Sequence, residues 1–142
     1  IAYTGTEFGG PTSMAWAEER LRRSLEPLGV EVMRATVVGS PPWWRATVGR
    51  PNGVLSRRYG PWHICVGCHM YLHACRVPVA WSAGASRQVA GERLRHGGRV
   101  KVNQVAEAVE AYRRVLEEHG VYLETPLLHL DDEEAILSLT GD

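Results

Sequence analysis

Two stretches of this chain concentrate the side chains that can do chemistry. In Cys65-Val66-Gly67-Cys68-His69 two thiols stand three residues apart, with His63, His73 and Cys75 close by. Positions i and i+3 are neighbours on a helix or tight turn, so Cys65 and Cys68 can face one metal ion, with His69 next in line as a ligand. The same pair can serve as catalytic thiols, or as small buried hydrophobes on a core helix. Cys75 falls outside the pair, because seven helical residues carry it about 10 Å along the axis from Cys68, further than one zinc ion bridges. Cys-x-x-Cys-His is also the spelling of a haem c attachment site, a reading that needs an export signal.

The second stretch runs from Gly91 to Gln104 and holds Glu92, Arg93, His96, Lys101, Asn103 and Gln104. Arg93 and Lys101 can pair with phosphate or carboxylate, Glu92 or His96 can move a proton, and Asn103 and Gln104 can cap the next helix or hold a base edge. The plain alternative is a solvated loop with Asn103 as a helix cap. A third stretch, Gly9-Gly10-Pro11-Thr12-Ser13, lies between a short β-prone start and a helical pattern. Its glycines admit close backbone approach, and the following helix offers unpaired N–H groups to a phosphate.

The elements that must position these groups alternate. Ile1 to Thr4 reads as a strand. Met14, Ala15, Trp16, Ala17, Leu21 and Leu25 form the apolar stripe of an amphipathic helix that Pro27 and Gly29 end. Val30 to Val38 reads as a second strand. Residues 39 to 60, rich in proline and glycine, read as a long loop in which Trp43 and Trp44 either form a lid or pack the loop down. Trp62 to Ala83 is long enough for a helix that Pro78 bends or ends. Ser86 to Ala90 is a short strand, Val102 to His119 a strongly periodic helix stopped by Gly120, Val121 to Leu130 a strand interrupted by Pro126, and Glu133 to Leu139 a last helix capped by Asp131 or Asp132. Strands alternating with helices predict an α/β fold, one parallel sheet covered on both faces, with ligands at the carboxyl ends of its strands.

With these residues in view, the chain resembles the PP-loop superfamily of ATP-dependent nucleotide α-hydrolase-like proteins, which includes tRNA thiolation and other adenylating enzymes. Gly9 to Ser13 stands where that superfamily has its Ser-Gly-Gly-x-Asp-Ser pyrophosphate loop, with Phe8 in place of the first serine and Thr12 in place of the aspartate. The Cys65 to His73 segment, Arg76-x-Pro78 and the Gly91 to Gln104 block extend the likeness. The resemblance implies a three-layer parallel-sheet sandwich of the PP-loop type and an enzyme that uses ATP and Mg²⁺ to adenylate a small-molecule or tRNA substrate for sulfur or nitrogen transfer. In that scheme Gly9, Gly10, Thr12 and Ser13 cradle phosphate, with Arg93, Asn103 and Gln104 also facing the nucleotide. Glu92, His96 and Lys101 assist catalysis, and Cys65 and Cys68 carry sulfur or, with His69, ligate zinc or an iron–sulfur cluster. The degenerate loop keeps two other readings open: a module that binds a nucleotide or anion without cleaving it, and a structural metalloprotein using Cys65 and Cys68.

Composition sets the outer bounds. The 142 residues, 44% hydrophobic and 23% charged, suit one domain spanning 1–142 with a real core. Sixteen basic residues balance sixteen acidic ones, so no overall field draws the chain to nucleic acid or to an anionic membrane. The apolar runs break well before the roughly 20 residues that a membrane span needs. Three clustered cysteines make a poor disulfide framework, so the expected compartment is the reducing cytoplasm. Opening on Ile1 rather than Met is compatible with processing or truncation, and association of copies stays open.

Overall fold

A computed structural model describes residues 2–4, 12–60 and 63–140. Strand β1 (Ala2–Thr4) leads to helix α1 (Thr12–Leu25), which a short 3₁₀ turn and Gly29, at a φ of +77°, bring to a close. Glu18 of α1 accepts the backbone N–H of Ala35 at 2.8 Å and is bridged by Arg22, which ties the helix to the segment leading into β2 (Thr36–Val38). These hydrogen bonds hold the Glu18 carboxyl below its ordinary range, the Ala35 amide contributing most.

The proline-rich stretch expected to be a loop is helical. Ser40 caps helix α2 (Pro41–Trp44) by accepting the N–H of Trp43, and Pro41 and Pro42 occupy the first turn, where a missing N–H costs nothing. A π-helical turn at Arg45–Gly49 continues into α3 (Arg50–Tyr59), again with a proline in the first turn. Prolines here start helices rather than forbid them. Trp44 is buried while Trp43 is exposed, so packing, and not a lid, accounts for Trp44.

Helix α4 (Ile64–Ala74) and helix α5 (Val77–Ser82) replace the single long helix read from the sequence, with Pro78 in the first turn of the second. One face of α4 packs on Trp44 and Val48, against which Gly67 sits so closely that an added Cβ would lie 3.3 Å from Val48. Its Tyr71 hydroxyl accepts from the Ser40 amide at 2.9 Å and donates to the Ser40 carbonyl at 3.1 Å, under Gly39, where a side chain would collide with that hydroxyl. Another face of α4 meets the main core. There Val66 and Met70 border Val77, Ala108, Tyr112, Leu116, Val121 and Leu123.

That core belongs to a β-α-β unit. Strand β3 (Arg87–Val89) is followed by a loop, a 3₁₀ turn at Val102–Gln104, helix α6 (Ala106–Glu117) and strand β4 (Tyr122–Glu124). Helix α7 (Glu133–Thr140) ends the described chain, the Asp132 carboxylate accepting the Glu134 amide at its start. β3 pairs in parallel with β4, and β1 with β2.

Parallel pairing is as expected, but the three-layer sandwich is not formed. Among the described residues there are two separate two-stranded pairs of three residues per strand, and the rest is mainly helical. In β3 and β4 only the middle residue is buried, whereas a strand inside a three-layer sandwich is covered on both faces. The buried apolar side chains of this unit gather instead on one side of the strand pair, where Val121 and Leu123 meet Ala108, Tyr112 and Leu116 of α6. Val30 to Ala35, read as strand, is irregular up to Thr36.

Candidate metal centre

His69 and His73 lie four residues apart on α4, so both imidazoles project from one face, and that face is turned toward the loop leaving β3. The loop delivers Glu92. Its Oε1 accepts from His69 Nδ1–H and from His73 Nε2–H, each at 3.1 Å, and its Oε2 accepts from Gln104 Nε2 at 2.5 Å. The carboxylate side chain is 7% exposed and the His73 side chain 2%. Burial alone would raise the Glu92 carboxyl, but the hydrogen bonds from His69, His73 and Gln104 outweigh it and hold the group well below the carboxylate range.

Each histidine is gripped on its far side by an amide. Asn103 Nδ2 donates to His69 Nε2 at 2.6 Å, and Gln88 Nε2, from the buried middle of β3, donates to His73 Nδ1 at 2.7 Å. Both imidazoles therefore carry their proton on the nitrogen facing Glu92. A second arm extends through Gln104, whose Oε1 accepts from His96 Nε2–H, while Arg93 Nη2 donates to His96 Nδ1 at 2.8 Å. His96 is placed by a tight hairpin in which Gly97 and Gly98 take φ values of +60° and +77°, a turn that suits glycine at both positions. The Gly98 amide donates to Asp131.

Tyr112 braces the assembly from α6. Fully buried, it donates its hydroxyl to the Asn103 carbonyl at 2.9 Å, and its ring centroid lies 5.2 Å from that of His73. Burial pushes its phenol far up, with Glu92 adding to the effect, so the group stays a neutral donor.

Among the described residues, His69, His73 and Glu92 are the group whose ligand atoms approach closely enough for one ion, all within 4.8 Å of one another. Two donors on one zinc at about 2.05 Å in tetrahedral geometry stand roughly 3.3 Å apart, close to the spacing of each imidazole nitrogen from the carboxylate oxygen. The centre forms part of the wall of a cleft of about 670 Å³ between α4, α5 and β3.

The two sequence stretches are thus halves of one site. Glu92 and Asn103 bond His69 directly, Gln104, His96 and Arg93 extend the network in a chain from Glu92, and Lys101 is exposed and stands apart from it. The cysteines sit elsewhere. Cys65 is exposed, the Cys68 sulfur accepts the Trp44 indole N–H at 3.2 Å, and Cys75 lies beside Tyr71, its thiol pushed up by burial. Gly9 and Gly10 lie outside the described residues, as do the side chains of Thr12 and Ser13. Sequence reasoning passed over His73 as a ligand, although His-x-x-x-His is itself a helical metal-binding spacing. Gln88 carried no such signal, since its role depends on β3 lying against α4.

An uncharacterized protein of Methanocaldococcus jannaschii is 27% identical over 144 residues, covering all of this chain and 52% of that protein. The chain spans about half the length of the relative it matches. No family model matches the chain, and no solved structure does. No described helix is long and apolar enough to cross a membrane.

Proposed function

We propose that this domain is the metal-binding part of an enzyme, holding a divalent transition-metal ion, of the zinc or ferrous type, through His69, His73 and Glu92. The observation that carries the reading is the placing of both imidazole nitrogens 3.1 Å from one buried carboxylate oxygen beside a ligand-sized cleft. Two histidines and a carboxylate leave a coordination position open, which distinguishes catalytic sites from closed structural ones. When bound, such an ion supplies Lewis-acid polarisation of a substrate oxygen. The chain's own residues do the rest. Asn103 and Gln88 fix the two rings, Gln104 fixes the carboxylate, and Tyr112 holds Asn103 in place.

The same atoms are satisfied without an ion, because each imidazole proton goes to Glu92. Binding moves those protons to the outer nitrogens and requires the Gln88 and Asn103 amides to turn their oxygens inward. Gln88 Oε1, buried and without a hydrogen-bond partner, is an acceptor available for that turn. The adenylation expected from the superfamily resemblance loses its architectural support with the three-layer sheet, and Gly9 and Gly10 of its phosphate loop lie outside the described residues.

Calorimetric titration of the metal-stripped protein with zinc tests the proposal. One ion per chain is expected, with affinity falling by on the order of 100-fold in His73→Ala or Glu92→Gln. Parent and variants binding zinc alike would defeat it.

A further inference from the structure

The even balance of charge hides an uneven distribution. From Val32 to Gly91 the chain holds seven arginines and neither Asp nor Glu, so the acids that balance them lie on either side of that segment. Three of the seven, Arg50, Arg57 and Arg58, stand on α3. The helical run that begins at Pro41 packs Trp44 and Val48 into the cluster with Tyr71 of α4 and keeps Leu55 half-buried. Arg50, Val54, Arg57 and Arg58 are exposed at i, i+4, i+7 and i+8, one face of the helix. A Cβ added at Gly53 would lie 3.7 Å from Arg57 Nη1, so that guanidinium lies back along the same face. An aromatic ring stands toward each end of the run. Trp43 is 64% exposed, and Tyr59 is 66% exposed, with the Arg58 guanidinium 5.3 Å from its ring centroid.

A solvated helix face carries both signs at i, i+4, as α1 does in its Glu19–Arg23 pair. Helix α3 has no acid of its own, and among the described residues none of its three arginines forms an ion pair. The helix dipole accounts for Arg57 and Arg58 in the last turn but not for Arg50, midway along the run. From this arrangement we infer that the outer face of α3 binds a single-stranded nucleic acid, the arginines meeting its phosphates and Trp43 and Tyr59 stacking on unpaired bases. Guanidinium forks match phosphate oxygens, and bases of any sequence stack on exposed rings. With no net charge on the chain, the attraction is local to this patch. A membrane surface is the poorer match. It takes up the apolar side of a helix, and here that side is turned inward, with Val54 the one aliphatic side chain among the outward arginines. The inference does not rest on the metal reading.

Fluorescence anisotropy of labelled oligo-U and oligo-dT strands of about 12 nucleotides, titrated with the protein, tests it. A dissociation constant on the order of 10 µM is expected at about 0.1 M salt, weakening as salt rises. The triple variant Arg50→Gln, Arg57→Gln, Arg58→Gln should lose about tenfold or more in affinity, with a log–log salt slope about two units shallower. Should it not fold, the Arg50→Gln, Arg57→Gln pair takes its place, with a slope change of about one. Tyr59→Ala, which leaves the charge alone, should weaken binding about fivefold or more at an unchanged slope. Three results overturn the inference: no strand binding by the parent, strand binding that ignores the arginine substitutions, or displacement of the strand by polyglutamate as effectively as by unlabelled strand of equal charge. Binding to phosphatidylserine vesicles without binding to either strand overturns it in favour of a membrane.

Discussion

His73 and Glu92, nineteen residues apart in the chain, meet at 3.1 Å in a site where neither side chain is more than 7% exposed. A buried imidazole and carboxylate in this contact need their remaining hydrogen-bonding atoms satisfied, and Gln88 on one side and Gln104 on the other do so.

The outer amides are therefore expected to matter to the metal although they never touch it. Gln88→Leu and Asn103→Ala should each lower zinc affinity by roughly 10- to 100-fold, the usual effect of losing a group that orients a ligand imidazole. In the metal-free protein Gln88→Leu should also cost about 1 to 3 kcal/mol, since His73 Nδ1 is left buried without a donor. Zinc titration and urea unfolding of the two variants check both figures. Unchanged zinc affinity in both would show that the amides are packing alone.

How much of this was legible beforehand follows from what each residue depends on. The amphipathic stripe of α1, the stop at Gly120 and the crowding of polar groups between Glu92 and Gln104 are local properties, and local reading recovers them. The absence of a single sheet is not legible in the sequence, because β-prone triplets such as Arg87-Gln88-Val89 look alike whether they pair once at an edge or lie inside a stack. Spacing alone points to Cys65 and Cys68, three residues apart, and does as much for His69 and His73, four apart. What sets the histidine pair apart is the carboxylate of Glu92, and that depends on how the loop after β3 falls across α4.

The two adjacent tryptophans test the helical packing of residues 39–60. Trp44 is buried among Val48, Tyr71 and the edge of α4, whereas Trp43 is exposed. Trp44→Ala should cost about 3 to 5 kcal/mol, a large aromatic lost from a packed cluster. Trp43→Ala should stay within about 0.5 kcal/mol. Unfolding midpoints in urea decide, and equal small losses would mean that the stretch is a loosely held loop after all.

The central claim, that the ligands are nitrogen and oxygen atoms rather than sulfur, is tested most directly by the absorption spectrum of the protein loaded with Co²⁺. Thiolate ligands produce an intense near-ultraviolet charge-transfer band, and imidazole with carboxylate produces only the weaker visible bands of the ion itself. The account predicts visible bands without the thiolate feature, abolished in His73→Ala and in Glu92→Gln and unchanged in the Cys65→Ser, Cys68→Ser double variant. A strong thiolate band that vanishes in the double cysteine variant and persists in His73→Ala would contradict it.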